Sequence, residues 1–180
     1  MLNYNINFIP SKRTIIIDLF WLICKTIKAW PMCNDALTGQ LYAEDVHVGM
    51  TIPTLAKYPD LQQLVMYASA SEDYHEIHYD LNFARRQGFP KPIVQGALKS
   101  GFLAQLITDW VGDRGRLWKL EIQYRKPDFH SEPMYCMGRV ISKYVDGGRY
   151  LVECEVWIEN SSGERTICGT ALVGIPAKTG

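Results

Sequence analysis

The chain has no excess of either charge. Its 180 residues carry 19 Lys and Arg against 19 Asp and Glu, a formal net charge of zero. Without a basic excess there is no electrostatic footprint for nucleic acid, and no acidic tail suggests disorder. Paired cysteines are missing too. The five present (Cys24, Cys33, Cys136, Cys154 and Cys168) are odd in number and form no CxxC. That pattern speaks against a disulfide framework and reads as reduced thiols in a cytoplasmic protein. Cys136, Cys154 and Cys168 lie in strand-like runs, where a small buried hydrophobe is the expected role rather than a nucleophile. Repeats and low-complexity linkers are absent. At 47% hydrophobic and 21% charged, the composition is that of an ordinary globular chain of one domain.

A long apolar run is also lacking. The most apolar stretch, Thr14 to Cys24, is interrupted by Asp18 and flanked by Lys12, Arg13, Lys25 and Lys28. It falls short of the roughly 20 residues that cross a bilayer, so no membrane span is expected. No A-x-A-like cleavage site follows it. Residues 1–40 read as a non-catalytic extension. It is a surface amphipathic helix, an element appended to the domain, or translation from upstream of a start at Met32. Domain-like sequence begins at Leu41 and runs to residue 176, leaving 177–180 as a tail.

Within 41–176, Met50 to Tyr58 reads as a strand, and Pro53 sends it to an edge. Asp60 caps a helix whose apolar face is Leu61, Leu64, Val65 and Ala68. Asp80 caps a second, short helix through Arg86, with Gly88 as its stop. Ala97 to Val111 is apolar around most of its circumference and is therefore a buried helix. Gly112 ends it. The period then changes to two. Trp118, Leu120, Ile122 and Tyr124 alternate with polar residues as one face of a strand. Met134–Tyr144 and Tyr150–Ile158 flank the hairpin signal Asp146-Gly147-Gly148, and Asn160–Gly163 precedes a last strand, Thr166–Ile175. The expected architecture is α+β: one curved antiparallel sheet, its last four strands a meander, wrapped around a buried central helix. This is the hot-dog fold. Its far face and edges need cover, so a dimer is expected.

The chemistry concentrates in Ser71–Asp80, which holds Glu72, Asp73, Glu76 and Asp80 together with His75 and His78. On a regular helix Asp73 and His78 would stand about 140° apart. They can act together only if the segment is a loop or broken turn, and there they can grip one water between them. Histidine is suited to taking and returning a proton near neutral pH. Gly96 opens the buried helix, and its N–H, aided by the helix dipole, can stabilise a developing oxyanion. Asp80 reads as a cap, and Glu72 and Glu76 as solvated. His75-Glu76-Ile77-His78 is one residue short of the zinc motif H-E-x-x-H and has no third ligand, so no metal is expected.

At these residues the chain resembles the MaoC-like, (R)-specific enoyl-CoA hydratase/dehydratase family of hot-dog proteins. The family pattern is roughly S-[GE]-D-x-N-P-[IL]-H-x-D, then A-x-x-x-G-[FL], then I-V-H-G. Here stand Ser71-Glu72-Asp73, Ile77-His78, Asp80, Ala84 with Gly88-Phe89, and Ile93-Val94 with Gly96. Thr108–Asp113 followed by Gly115 resembles the actinobacterial branch, which includes fatty-acid synthase II dehydratase subunits. The resemblance implies that Asp73 and His78 activate water and that Gly96 is the donor to the thioester carbonyl. It implies interconversion of trans-2-enoyl and (3R)-3-hydroxyacyl thioesters of coenzyme A or acyl carrier protein, with no cofactor beyond that carrier. His75 stands in place of an Asn that orders the loop, Glu76 in place of Pro, and Gln95 in place of a common His. His75, Ile93 and Val94 are the loop-ordering or substrate-binding candidates. Arg85, Arg86, Lys91, Arg125 and Lys126 could meet carrier phosphates.

Two other readings share the fold. A hot-dog thioesterase would carry its carboxylate on the central helix, where only Asp109 stands, near the far end. A subunit of a heterodimeric dehydratase would, if non-catalytic, lack the Asp/His pair that this chain keeps. A homodimer is expected and a heterodimer is the alternative.

Overall fold

The computed structural model describes residues 3–7 and 39–178. The apolar stretch at 14–24, Cys24, Cys33 and Met32 lie outside the described residues. The strands are β1 (Asn3–Asn7), β2 (Thr51–Lys57), β3 (Arg116–Tyr124), β4 (Met134–Asp146), β5 (Arg149–Asn160) and β6 (Arg165–Ile175). The helices are α1 (Leu61–Ser71), α2 (Leu81–Arg86) and α3 (Gly96–Val111), with short 3-10 turns at Ala43–Asp45 and Glu76–His78.

The capping signals act where they stand. Asp60 accepts from the Gln63 N–H at 2.7 Å and opens α1. Asp80 accepts from the Phe83 N–H at 2.7 Å and opens α2. Each satisfies a helix-start donor that has no intrahelical partner. On α1 the buried residues are Leu64, Tyr67 and Ala68. Leu61 and Val65, expected on that face, are exposed, because the helix turns Tyr67 inward instead.

One antiparallel sheet runs in the order β1-β3-β6-β5-β4-β2. The hairpin β4–β5 closes at Asp146 and Arg149, around Gly147 and Gly148, both at positive φ (53° and 75°). Such a two-residue turn matches the twist of the flanking strands, and glycine reaches it without strain. Strands β4, β5 and β6 form a meander, but the expected fourth member does not. β3 pairs with β6, not with its sequence neighbour β4. Residues 125–133 instead cross over the segment leading into α3, where Ile93 bridges Phe129.

The inner face of the sheet encloses α3, which touches each of β2 to β6. Leu103, Ile107 and Val111 are fully buried, and Leu98, Phe102, Leu106 and Trp110 nearly so. Burying each such side chain contributes about 1.5–3 kcal/mol. This is the α+β hot-dog architecture. Ala97, expected in the buried set, is exposed.

A bulge between Leu117 and Lys119 overturns one part of the alternation. Leu117 packs on the core, and Trp118 is turned to the outer face. There it lies over Gly174, with Arg116 and Arg149 on the ring at 4.6 and 5.4 Å. Elsewhere the outer face is laced by charge. Arg139 and Arg165 meet Glu155 at 3.0 and 3.1 Å, and Arg165 covers Trp157 at 4.3 Å. Between these charged groups, Trp118, Leu151 and Leu172 line an outward-facing hollow beside Arg149. β1 takes the outer edge of β3, from Asn3 opposite Gln123 to Asn7 opposite Lys119. The extension thus supplies an edge strand, and its Asn3-Tyr4-Asn5-Ile6-Asn7 alternation fits one. At the other edge, β2 carries Pro53 and an irregular register between Ile52 and Leu55.

Gly169 on β6 lies against β3. A Cβ there would run into the Glu121 carbonyl oxygen and come within 2.8 Å of Ile122 Cγ2. Strand backbones cannot give way singly, so Gly169→Ala is expected to cost about 1–3 kcal/mol and lower Tm by several degrees. Differential scanning calorimetry checks it.

Candidate active site

Helix α1 ends because Glu72 adopts the left-handed conformation, φ 59°. The chain then runs extended through His75 and makes one 3-10 turn, Glu76–His78. His78 N–H donates to the His75 carbonyl at 3.1 Å, and Asp80 N–H to Glu76 at 2.8 Å. The broken turn that Asp73 and His78 require is therefore present, and Asp80 Oδ1 holds its far end by capping α2. Glu72 and Glu76 point to solvent.

His75 orders this turn. Its Nδ1 accepts from the Ile77 N–H at 3.3 Å. Its ring meets Phe83 edge-on at 5.4 Å and lies 6.2 Å from the ring of His78. An acceptor at Nδ1 must be unprotonated, so this cap belongs to neutral imidazole.

The turn is clamped to the segment before α3. Ile93 N–H donates to the Ile77 carbonyl at 3.1 Å, and His78 Nδ1 lies 2.8 Å from the Ile93 carbonyl. A carbonyl has no proton to give, so His78 carries its hydrogen on Nδ1. In neutral imidazole this leaves the Nε2 lone pair free, and it faces Asp73 Oδ2 at 3.5 Å. That gap is too long for a good direct hydrogen bond, and both atoms are acceptors. A water donating to each would satisfy both. The surroundings are unequal, with the His78 side chain 12% exposed and that of Asp73 46%. The imidazole is sheltered and the carboxylate wetted.

Three residues after Ile93, Gly96 begins α3. No side chain caps this helix. As its first residue, Gly96 has no carbonyl within the helix for its N–H, which stands at the positive end of the dipole. A Cβ at Gly96 would come within 3.1 Å of the Tyr124 ring. Tyr124 is held there by a 2.6 Å hydrogen bond between its hydroxyl and Ser100 Oγ, which itself donates to the Gly96 carbonyl at 3.1 Å. Gln95 turns inward and donates from Nε2 to the Leu64 carbonyl at 2.9 Å, tying the start of α3 to α1.

Asp73, His78 and the Ile93 backbone are thus brought together, with His75 behind and Gly96 three residues along the chain from Ile93. Val94 is buried, and its N–H is taken by the Asp128 carbonyl at 2.8 Å. Several of the candidates for carrier phosphates have partners within the chain. Lys91 pairs with Glu132 at 2.8 Å, Lys126 with Glu164, and Arg86 stacks on Phe83. Burial pushes the thiols of Cys136 and Cys154 up to about 12, far from reactive thiolate. Among the described residues, no three His, Cys, Asp or Glu side chains are placed to hold a metal ion.

Sequence reasoning overlooked Lys99 and Asp128. Lys99 Nζ meets Asp128 Oδ2 at 2.8 Å, with the side chains 3% and 2% exposed. Burial pulls the Lys99 ammonium below its usual range, and Asp128 opposes that shift. A lysine in the first turn of a helix buried on most sides was the available signal.

The fold and this loop coincide with a known group. The MaoC like domain matches residues 39–135. The chain belongs to that family of dehydratase domains, and so to the hydro-lyases. The beta subunit of the Mycobacterium tuberculosis 3-oxo-4,17-pregnadiene-20-carboxyl-CoA hydratase is 26% identical over 125 residues, 69% of this chain and 94% of the relative. A chain of the ChsH1-ChsH2 complex from the same organism superposes with a TM-score of 0.65 at 24% identity, covering 72% of this chain and 98% of that one. The (R)-hydratase from A. caviae involved in PHA biosynthesis gives a TM-score of 0.68 at 22% identity, covering 74% and 100%.

If His75 caps the turn, His75→Ala removes the acceptor of the Ile77 N–H and loosens the loop by about 1 kcal/mol. His75→Asn keeps an acceptor. Hydrogen exchange over residues 73–79 is expected to speed up several-fold in the first variant and to stay near wild type in the second.

Proposed function

We propose that this protein hydrates trans-2-enoyl thioesters, and dehydrates 3-hydroxyacyl thioesters, through a water held between Asp73 and His78. The observation that carries this reading is the His78 ring, tied by Nδ1 to Ile93 and presenting Nε2 to Asp73 across 3.5 Å.

In the hydration direction the water gives one proton to His78 Nε2 as its oxygen bonds to the β-carbon. The C=C electron pair moves toward the thioester carbonyl, whose oxygen becomes anionic. The Gly96 N–H receives that charge. Losing one such donor in well-studied sites costs about 3–4 kcal/mol of barrier. The imidazolium, stabilised by the Asp73 carboxylate, returns its proton to the α-carbon. Atoms and charge balance with water as the only co-reactant. Tyr124 and Ser100 fix the surface against Gly96, where an added Cβ would crowd the Tyr124 ring at 3.1 Å.

The family and the hydratases among its relatives support this class of reaction. The name of the Mycobacterium relative adds coenzyme A as a carrier and a bulky polycyclic acid as one acyl group that such a fold handles. A (3R) product and a coenzyme A or acyl-carrier thioester belong to the proposal. Assembly with a second subunit does too, since the relative is a beta subunit and the similar structure is a complex. The thioesterase reading has little support, since the only carboxylate on α3 is Asp109, in its last turn, where Gln105 donates to it at 3.2 Å.

General acid–base groups contribute about 10²–10⁴ in rate. Asp73→Asn and His78→Ala are each expected to lower kcat for crotonyl-CoA hydration within that range. Wild-type turnover in both variants would remove the water-activating role from this pair.

A further inference from the structure

The buried ion pair Lys99–Asp128 has no part in the chemistry above, and its geometry does not favour stability. Asp128 Oδ1 is buried with no hydrogen-bond partner. Replacing a buried pair by apolar residues of similar size is often neutral or stabilising, so stability alone does not call for it.

Its position suggests its use. Lys99 sits three residues into α3 from Gly96, and its Nζ reaches both Asp128 Oδ2 (2.8 Å) and the Lys126 carbonyl (3.2 Å). Both partners lie on the segment that crosses over residues 92–94. That crossing is held by the isolated Ile93–Phe129 bridge and two backbone hydrogen bonds, Val94 N–H to Asp128 at 2.8 Å and His130 N–H to Pro92 at 3.2 Å. So short a ladder specifies its register weakly, and a slip of one residue would turn every side chain to the other face. On its other side, residue 93 bears the carbonyl that holds His78.

We propose that Lys99 and Asp128 are positioning residues that fix the register of this one-bridge crossing. In doing so they set the Ile93 carbonyl and, through it, the His78 ring. A cation gripping two acceptors on one strand marks a single register, which an apolar contact does not. Buried polar groups used to specify register are the best-attested reason for keeping them. The catalytic consequence rests on the hydratase reading above; the structural link to His78 does not.

Single substitutions would strand a buried charge, so the test uses Lys99→Met/Asp128→Leu in the full chain. Three quantities are read: Tm, the downfield proton resonance of the His78 Nδ1–H, and kcat and KM with crotonyl-CoA. The double variant is expected to melt within a few degrees of wild type and to lose or broaden the His78 resonance. Its kcat falls about 10–100-fold with KM within a few-fold, as for a reacting group misplaced by about 1 Å. A stable double variant with the His78 resonance unchanged overturns the inference. If the double variant cannot be purified, Lys99→Met/Asp128→Asn carries the same readouts. Should wild type not hydrate crotonyl-CoA, the hydratase reading has failed, and the resonance still decides the link from Lys99–Asp128 to His78.

Discussion

The site depends on the hydrogen bond from His78 Nδ1 to the Ile93 carbonyl, 2.8 Å long. It sets the tautomer, and with it which nitrogen can act as base. It also fixes the ring, whose other nitrogen then faces Asp73. Ile93 returns a bond through its N–H to the Ile77 carbonyl, so the turn carrying the histidine and the lead into α3 hold each other. Without this clamp, Asp73 and His78 would sit on an exposed broken turn with nothing to orient either.

The rest of the fold supplies what the clamp rests on. The inner sheet face buries α3, and a helix packed on so many sides cannot shift without disturbing the core. Its first turn is therefore a rigid platform with an open, uncapped N-terminus. The outer sheet face carries ion pairs and stacked arginines, each worth little by itself, which keep that face wet. The polarity of the two faces thus decides which one the helix packs against.

Much of this was legible in the sequence, because the signals are local. Asp60 and Asp80 announce helix starts by side-chain chemistry, and Gly147-Gly148 announces a hairpin by backbone freedom. Asp73 and His78 stand out because their spacing makes sense only on a non-helical turn. What stayed hidden depends on pairings distant in the chain. The swap that places β3 beside β6 has no local mark, and an alternating pattern looks the same in either order. The bulge that expels Trp118 is one extra residue, invisible to a period-two count. The edge strand at residues 3–7 does alternate, Asn with Tyr4 and Ile6, but five residues far from the domain in sequence do not say which strand they join. Lys99 and Asp128 are 29 residues apart, and nothing local marks them as partners.

The fate of a trans-2-enoyl-CoA incubated with the pure protein, followed by liquid chromatography and mass spectrometry, is the most direct measure of the central claim. A clamped His78 sharing a water with Asp73 predicts a single 3-hydroxyacyl-CoA, one water heavier with its thioester intact. Free coenzyme A with no hydroxyacyl thioester would contradict it, since the water would then have attacked the carbonyl carbon.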